Sequence, residues 1–245
     1  MRRILWRWRG ITIYSYPAML YVGLVLGVGA GNYAAHRAGL DSARVFAATL
    51  LLLVPALIGA RLSFVAGHWR FYRQHPRRFW RRSEGGAVMY GGLPLSLVAS
   101  MPLLRTFGLP FGAFWDVATF TILVGMACTR VGCLLNGCCA GRPTNSRWAL
   151  NLPDSRGTWT RRIPTQLMEA AWALVLLAAA PLAWARLPFA GALFLYLLGG
   201  YGLGRLALES CRERVQTAGL FTAQHGISAG LVAVGVVGIV IGWLR

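Results

Sequence analysis

Seven apolar stretches separated by short polar, arginine-bearing segments organise this sequence, at about 16–35, 45–66, 88–104, 111–130, 167–185, 189–208 and 225–243. Each approaches the roughly 20 apolar residues a helix needs to cross the hydrocarbon core of a bilayer. The third is the shortest. The pattern predicts an all-α, polytopic membrane protein of about seven transmembrane helices. The first run follows Met1-Arg2-Arg3 but is long, lacks a small-residue cleavage site and leads into a multi-span pattern, so it reads as a retained helix. Neither self-similar halves nor a low-complexity tract is evident, and residues 1–245 read as a single integral-membrane domain.

Two polar segments interrupt the pattern. Residues 131–166 carry Asn145-Ser146-Arg147, Asn151, Asp154-Ser155-Arg156-Gly157 and Arg161-Arg162, and are expected to form a small polar cap of loops over the helices. Residues 67–87 place Trp69, Phe71, Tyr72, Phe79 and Trp80 among six arginines, the composition of an amphipathic segment anchored at the headgroup level.

Composition agrees with the pattern. The chain is 56% hydrophobic and 13% charged, whereas soluble domains are about a quarter charged. All 25 basic residues are arginine and the formal charge is +18. Arginine keeps its charge when desolvated and grips phosphate through two parallel hydrogen bonds, which suits an anionic phospholipid partner. Nucleic acid is excluded as a partner, because the aromatic residues lie in or beside apolar runs rather than on a basic stacking platform.

The arginines are unevenly distributed. Seven spans put seventeen of them on the face holding the N-terminus and the segments near 67–87, 131–166 and 209–224, and five on the other. An insertion bias alone would place the richer face in the cytoplasm. Arginines gathered to bind headgroups would place it outside.

Three segments carry candidate chemistry. No charged side chain occurs from Val117 to Cys128, and Arg130 then appears at the end of the run, ahead of Gly132, Cys133, Asn136, Gly137, Cys138, Cys139 and Gly141. An arginine at that depth marks a functional site. In the sixth run, Tyr201, Arg205 and Glu209 recur at helical spacing with Arg212 a turn further. That face either handles charge or holds an Arg205–Glu209 ion pair that locks helices together. Tyr90-Gly91-Gly92 offers paired glycines where a helix start can approach a backbone or a ligand. The cysteines Cys128, Cys133, Cys138, Cys139 and Cys211 lack a histidine pair at ligand spacing, and adjacent cysteines rarely share one zinc. They read as small packing residues, with a disulfide, a metal site or a transient acyl acceptor as alternatives.

Taken in order, these residues resemble the prolipoprotein diacylglyceryl transferase family. Tyr16 with Met19 and Tyr21 is similar to the family's first-helix motif, Gly59-Ala60-Arg61 to its Gly-Gly-Arg, and Tyr90-Gly91-Gly92-Leu93 to its His-Gly-Gly. Arg130-x-Gly132-x-x-x-Asn136-Gly137 with Gly141 resembles its signature. Pro164-Thr165-Gln166-Leu167-x-Glu169 and Tyr201-x-x-x-Arg205-x-x-x-Glu209-x-x-Arg212 resemble two further motifs.

The resemblance implies a seven-helix enzyme of the bacterial inner membrane, with its active site on the outer face. Such an enzyme moves the diacylglyceryl group of phosphatidylglycerol to the thiol of a prolipoprotein's lipobox cysteine, beside the signal peptide, and releases glycerol phosphate. It needs neither cofactor nor metal. Arg130, Arg205 and Tyr90 are the expected catalytic residues. Tyr16, Arg61, Gly91, Gly92, Asn136, Gly141, Gln166, Tyr201, Glu209 and Arg212 are the expected substrate-binding residues. Departures from the pattern identify a divergent branch: Tyr90 stands where the family has a histidine, Cys133 and Cys138 replace an asparagine and a glutamate, and Ile163 replaces a histidine. A tyrosine, with a pKa near 10, is a poor base at neutral pH. Glu209, His225 and water are the other candidates for that role. A different acceptor, a catalytically silent phospholipid-binding protein and a transporter of anionic lipid are the competing readings.

Overall fold

A computed structural model of the chain describes residues 4–9, 11–79, 89–153, 157–212 and 223–244. It comprises β1 (Ile4–Trp8), β2 (Ile11–Tyr14), α1 (Ser15–Arg37), α2 (Ser42–Gly67), α3 (Trp69–Gln74), α4 (Met89–Phe107), α5 (Phe111–Asn136), β3 (Leu150–Pro153), β4 (Trp159–Arg162), α6 (Thr165–Trp184), α7 (Ala192–Glu209) and α8 (Ala223–Trp243). Long helices occupy all seven apolar runs. Five of them, α1, α2, α5, α6 and the Gln224–Trp243 portion of α8, are long and apolar enough to cross a membrane. Seven long helices thus stand where seven spans are expected, five of them qualifying by length and apolar composition. The apolar character of α7 is diluted by Arg205, Glu209 and its glycines, and that of α4 by its glycines, serines and Arg105.

The all-α expectation holds for the body of the chain, with short strands added to it. Two antiparallel hairpins, β1–β2 and β3–β4, accompany the helices. In the first, Ile4-Leu-Trp-Arg-Trp8 and Ile11-Thr-Ile-Tyr14 pair around a turn in which Arg9 takes φ +43°. The strands are rich in the aromatic and β-branched residues that favour pairing, a signal masked by the charges beside them. The second hairpin lies in the 131–166 segment, so the expected cap of loops is partly a sheet.

The chain divides into two compact units, residues 35–114 and residues 1–34 with 115–245. In the unit of residues 35–114, Asp41 caps α2 by accepting from the Ala43 and Arg44 amides at 3.0 and 3.1 Å. α2 and α4 lie backbone to backbone: a Cβ on Gly91 would meet the Gly59 carbonyl and the Ser63 hydroxyl, and one on Gly92 would meet the Ala56 carbonyl at 2.8 Å. The amphipathic segment forms α3 and a 3-10 turn at Pro76–Arg78, while residues 80–88 fall outside the described residues.

In the other unit, α1 packs on α5 along Gly23, Gly27 and Gly31, spaced by four. A Cβ on Gly27 would stand 2.7 Å from the Thr121 carbonyl, and one on Gly23 2.8 Å from the Cys128 Cβ. Without a hydrophobic drive between helices in lipid, such small-residue seams permit the close approach that holds them. α7 and α8 use the same device at Gly199, Gly202 and Gly235. The Trp172 indole on α6 donates to the Gly200 carbonyl on α7 at 2.9 Å. Asp116, 2% exposed in α5, accepts from the Gly191 and Phe194 amides at 2.7 and 3.1 Å. Its carboxylate thereby serves the unpaired donors and positive dipole at the start of α7.

Candidate active site

Five ionisable side chains, from three helices and the segment after α7, converge at one end of this unit, Glu209 at the end of α7 among them. Arg130 lies in the last two turns of α5, Glu169 in the second turn of α6, Arg205 in the last turns of α7, and Arg212 just beyond α7. Glu169 is the hub. Its Oε2 accepts from Arg130 Nε at 2.6 Å, and its Oε1 from Arg205 Nη1 at 3.1 Å and from Arg212 Nη2 at 2.9 Å. Arg205 also reaches Glu209, one helical turn away, at 3.7 Å. Gln224 at the start of α8 stands between them, 3.3 Å from Arg205 Nη2. With its NH2 turned toward Glu209 it donates to that carboxylate at 2.8 and 3.3 Å.

The cluster is mostly buried: Arg205 is 5% exposed and Glu169 8%. Three guanidinium groups face two carboxylates, which leaves positive charge where water is scarce. Arg212 Nε is buried and has no hydrogen-bond partner among the described residues. An orphaned, charged donor at a helix end suits an anionic oxygen.

Local backbone geometry places these groups. At the end of α5 the Cys138 amide donates to the Cys133 carbonyl and the Gly137 amide to the Leu134 carbonyl, both at 3.1 Å, with Gly137 at φ +76°. This is a Schellman cap, and glycine supplies its left-handed residue without strain. Asn136 ends the helix, and its side chain hydrogen-bonds Cys138. The chain then turns through Cys139 at φ +62° and is pinned to the start of α6: Gln166 Nε2 donates to the Cys138 carbonyl at 2.6 Å, and the Thr165 hydroxyl to the Cys139 carbonyl at 2.8 Å.

Gly141 comes next, bridged to Arg212, its amide donating to the Ile163 carbonyl at 2.9 Å. A Cβ there would meet the Cys211 carbonyl at 2.5 Å and the Ile163 carbonyl at 2.9 Å. The Arg142 amide donates to the Cys211 carbonyl at 3.0 Å. Gly141 therefore stitches the ends of α5 and α7 to the start of α6 and carries Arg212 to Glu169.

Several expected site residues thus come together: Arg130, Arg205, Glu209 and Arg212 in the charged cluster, and beside it Asn136 at the end of α5, Gly141 in the following loop and Gln166 at the start of α6. Tyr201 acts electrostatically on Arg130, and Tyr16 in the first turn of α1 shares the field of Arg130 and of Cys133, Cys138 and Cys139. The expected Arg205–Glu209 pair exists, but Glu169 is the closer partner of Arg205.

Residues of the other unit have local roles. Arg61 donates through Nε to the Phe79 carbonyl at 2.9 Å and reaches the Arg78 carbonyl and the Tyr72 hydroxyl at 3.4 Å, closing the turn after α3. Gly91 and Gly92 serve the α2–α4 seam. Tyr90 is helical, but its side chain lies outside the described residues.

Glu169 lies within a sequence motif that assigns it no role, yet it organises the cluster. The available signal was a carboxylate four residues into an apolar helix, which is seldom left without cations. The cysteines read as separate packing residues, with a disulfide or a metal site as alternatives, and the sulfurs of Cys133, Cys138 and Cys139 all lie within 4.8 Å of one another. Hydrogen bonds from Cys133 and Cys138, then the positive charge of Arg130 and Arg212, outweigh burial and hold the Cys139 thiol below its ordinary pKa.

Fold and site together define a helical membrane protein with a buried, arginine-rich centre at its helix ends. A family model described as prolipoprotein diacylglyceryl transferase matches residues 3–241, and the chain belongs to that family. It is 28% identical over 245 residues to a phosphatidylglycerol–prolipoprotein diacylglyceryl transferase of Nostoc sp., a match that covers 96% of this chain and 86% of the relative. A protein of the same name from Geobacillus kaustophilus is 30% identical over 239 residues, 92% of this chain and 87% of the relative.

Proposed function

We propose that this chain transfers the diacylglyceryl group of phosphatidylglycerol to the thiol of a prolipoprotein lipobox cysteine, releasing glycerol phosphate. Membership of the family sets the reaction. The observation that carries it to these residues is the buried centre of Arg130, Arg205 and Arg212 on Glu169, with the Arg212 Nε unserved among the described residues.

The acceptor sulfur attacks the glyceryl carbon bearing the phosphate, a carbon–sulfur bond forms, and the carbon–oxygen bond breaks with its electron pair leaving on phosphate. That carbon is a poor electrophile until the departing charge is held. Prearranged guanidinium groups in a site poor in water supply the hold, on the order of 3 kcal/mol per donor. Glu169 keeps three mutually repelling cations at fixed positions, so little reorganisation is required when charge develops. Tyr16, Tyr201, Gln166 and Asn136 border this centre and are read as contacts to headgroup or acceptor.

The chain is read as one integral-membrane domain of the bacterial inner membrane, its N-terminal, arginine-rich face outward. The test is direct. Purified protein given phosphatidylglycerol labelled in its headgroup and a lipobox peptide releases labelled glycerol phosphate and lipidates the peptide. Absence of both products, under conditions where a housekeeping relative turns over, would overturn the reading. A reporter fused after Arg245 falls in the cytoplasm if the orientation is right, and outside the membrane if it is wrong.

A further inference from the structure

The cluster of Cys133, Cys138 and Cys139 is the feature that the transfer reaction leaves unused. Three sulfurs from a seven-residue stretch share one small volume. The Schellman cap accounts for the first two, because it brings the third-last helical position, Cys133, against the second residue past the cap, Cys138. The left-handed turn at Cys139, unusual for a residue with a Cβ, brings the third sulfur to the same side. Without that turn the adjacent cysteines would diverge. Two side-chain hydrogen bonds from the start of α6 clamp the carbonyls of Cys138 and Cys139.

We propose that Cys133, Cys138 and Cys139 form an open three-thiolate site for a thiophilic divalent ion such as zinc, whose fourth position takes the acceptor cysteine of the peptide. This rests on the transferase reading above.

The geometry fits. Sulfurs sharing one zinc at about 2.3 Å stand ~3.8 Å apart, and the three sulfurs here lie within 4.8 Å of one another, at most about 1 Å beyond that spacing. Among the described residues no histidine or carboxylate joins the group. Three protein ligands with a vacant fourth position characterise catalytic zinc, whereas structural sites are closed by four. Burial is graded from Cys133, buried, through Cys138, intermediate, to Cys139, exposed, which leaves the cluster one accessible side. Arg130 and Arg212 act electrostatically on Cys139 and offset the net negative charge of a zinc trithiolate. Asn136 hydrogen-bonds Cys138, the outer-shell contact that orients a ligand. Gln166, whose amide holds the Cys138 carbonyl, keeps its Oε1 buried and without a partner among the described residues.

The site meets the chemical need that Tyr90 leaves open. A thiol bound to zinc gives up its proton to solvent and reacts as thiolate, so no side-chain base has to take it. The bound thiolate sulfur then forms the bond to the glyceryl carbon while the carbon–oxygen bond breaks onto phosphate. The resulting thioether, a weaker ligand than a thiolate, leaves the ion, and glycerol phosphate departs from the arginines. No electrons are gained or lost by the metal.

The experiment uses full-length protein in detergent, reduced, freed of metal and titrated with cobalt(II). One cobalt per chain should bind with thiolate-to-metal charge-transfer absorption. That absorption should be lost in Cys133→Ser, Cys138→Ser and Cys139→Ser and kept in Cys128→Ser and Cys211→Ser. In the unmodified protein, a lipobox peptide should strengthen the absorption, and the same peptide with serine for cysteine should not. Absence of charge transfer, its persistence in all three variants, or an indifferent response to the two peptides would overturn the proposal. Transfer by metal-stripped protein at the rate of zinc-loaded protein would overturn it too and leave the transferase reading intact. A peptide-responsive cobalt site without transfer by the zinc form would do the reverse, upholding the metal site and sinking the transferase reading.

Discussion

Glu169 receives Arg130 at 2.6 Å, and through its other oxygen it gathers Arg205 and Arg212, so one carboxylate on α6 orders cations from α5, α7 and the segment after α7. A pair of arginines meant for one phosphate would repel each other if nothing lay between them. With Glu169 in place they stay charged, close and fixed.

Removing that carboxylate should therefore cost stability as well as activity. Glu169→Gln keeps the volume and leaves the buried guanidinium groups uncompensated, a loss on the order of 3 kcal/mol. The expected outcome is a lower midpoint of thermal unfolding in detergent with no detectable transfer. An unchanged midpoint would show that the arginines find other partners.

Arg130 and Arg212 should separate kinetically. Arg130, held by its short contact to Glu169, is assigned to the leaving phosphate, so Arg130→Ala should lower kcat about a hundredfold or more. Arg212 keeps a buried Nε with no partner among the described residues, a donor open to the headgroup. Arg212→Lys, which loses the planar fork, should raise KM for phosphatidylglycerol about tenfold with a smaller change in kcat. Steady-state kinetics on mixed micelles decides, and equal effects on kcat in both variants would contradict the division of roles.

Gly141 tests the stitching of the site. Alanine there drives a Cβ against the Cys211 and Ile163 carbonyls, both backbone, so neither yields easily. Overpacking of this kind costs about 1–3 kcal/mol and should displace Arg212. Gly141→Ala should resemble Arg212→Lys in its KM. Wild-type kinetics in that variant would mean that the bridge to Arg212 has no bearing on the substrate.

Asp116 should matter for folding alone. Asp116→Ala strips the acceptor from two amides at the start of α7, and leaving buried donors unmet costs about 1–3 kcal/mol each. The unfolding midpoint should fall while KM for phosphatidylglycerol in the surviving folded protein stays unchanged. A changed KM would tie the start of α7 to the site.

Much of the architecture was legible because lipid imposes a one-dimensional rule. An apolar run of about 20 residues has few choices but helix, and all seven runs are helical. The hairpins were not legible. Ile4–Trp8 is a short strand with arginine inside it, and charge obscured the alternation. The arginines of the site were readable from spacing because Arg205, Glu209 and Arg212 share one helix end and Arg130 interrupts an apolar run. Asp116 and Glu169 escaped because a carboxylate's partners lie far off in sequence, 78 residues away for the Phe194 amide and 43 for Arg212.

The sequence by itself determined the helical membrane class, the family motifs and the surplus of arginine, since each depends on composition or on neighbours within a turn or two. Which carboxylate balances those arginines was decided only by tertiary packing. So was the gathering of three sulfurs at the end of α5. Ion pairs and metal-ligand sets are fixed by distance in space, and here glycine seams between helices, a Schellman cap and one left-handed cysteine set those distances.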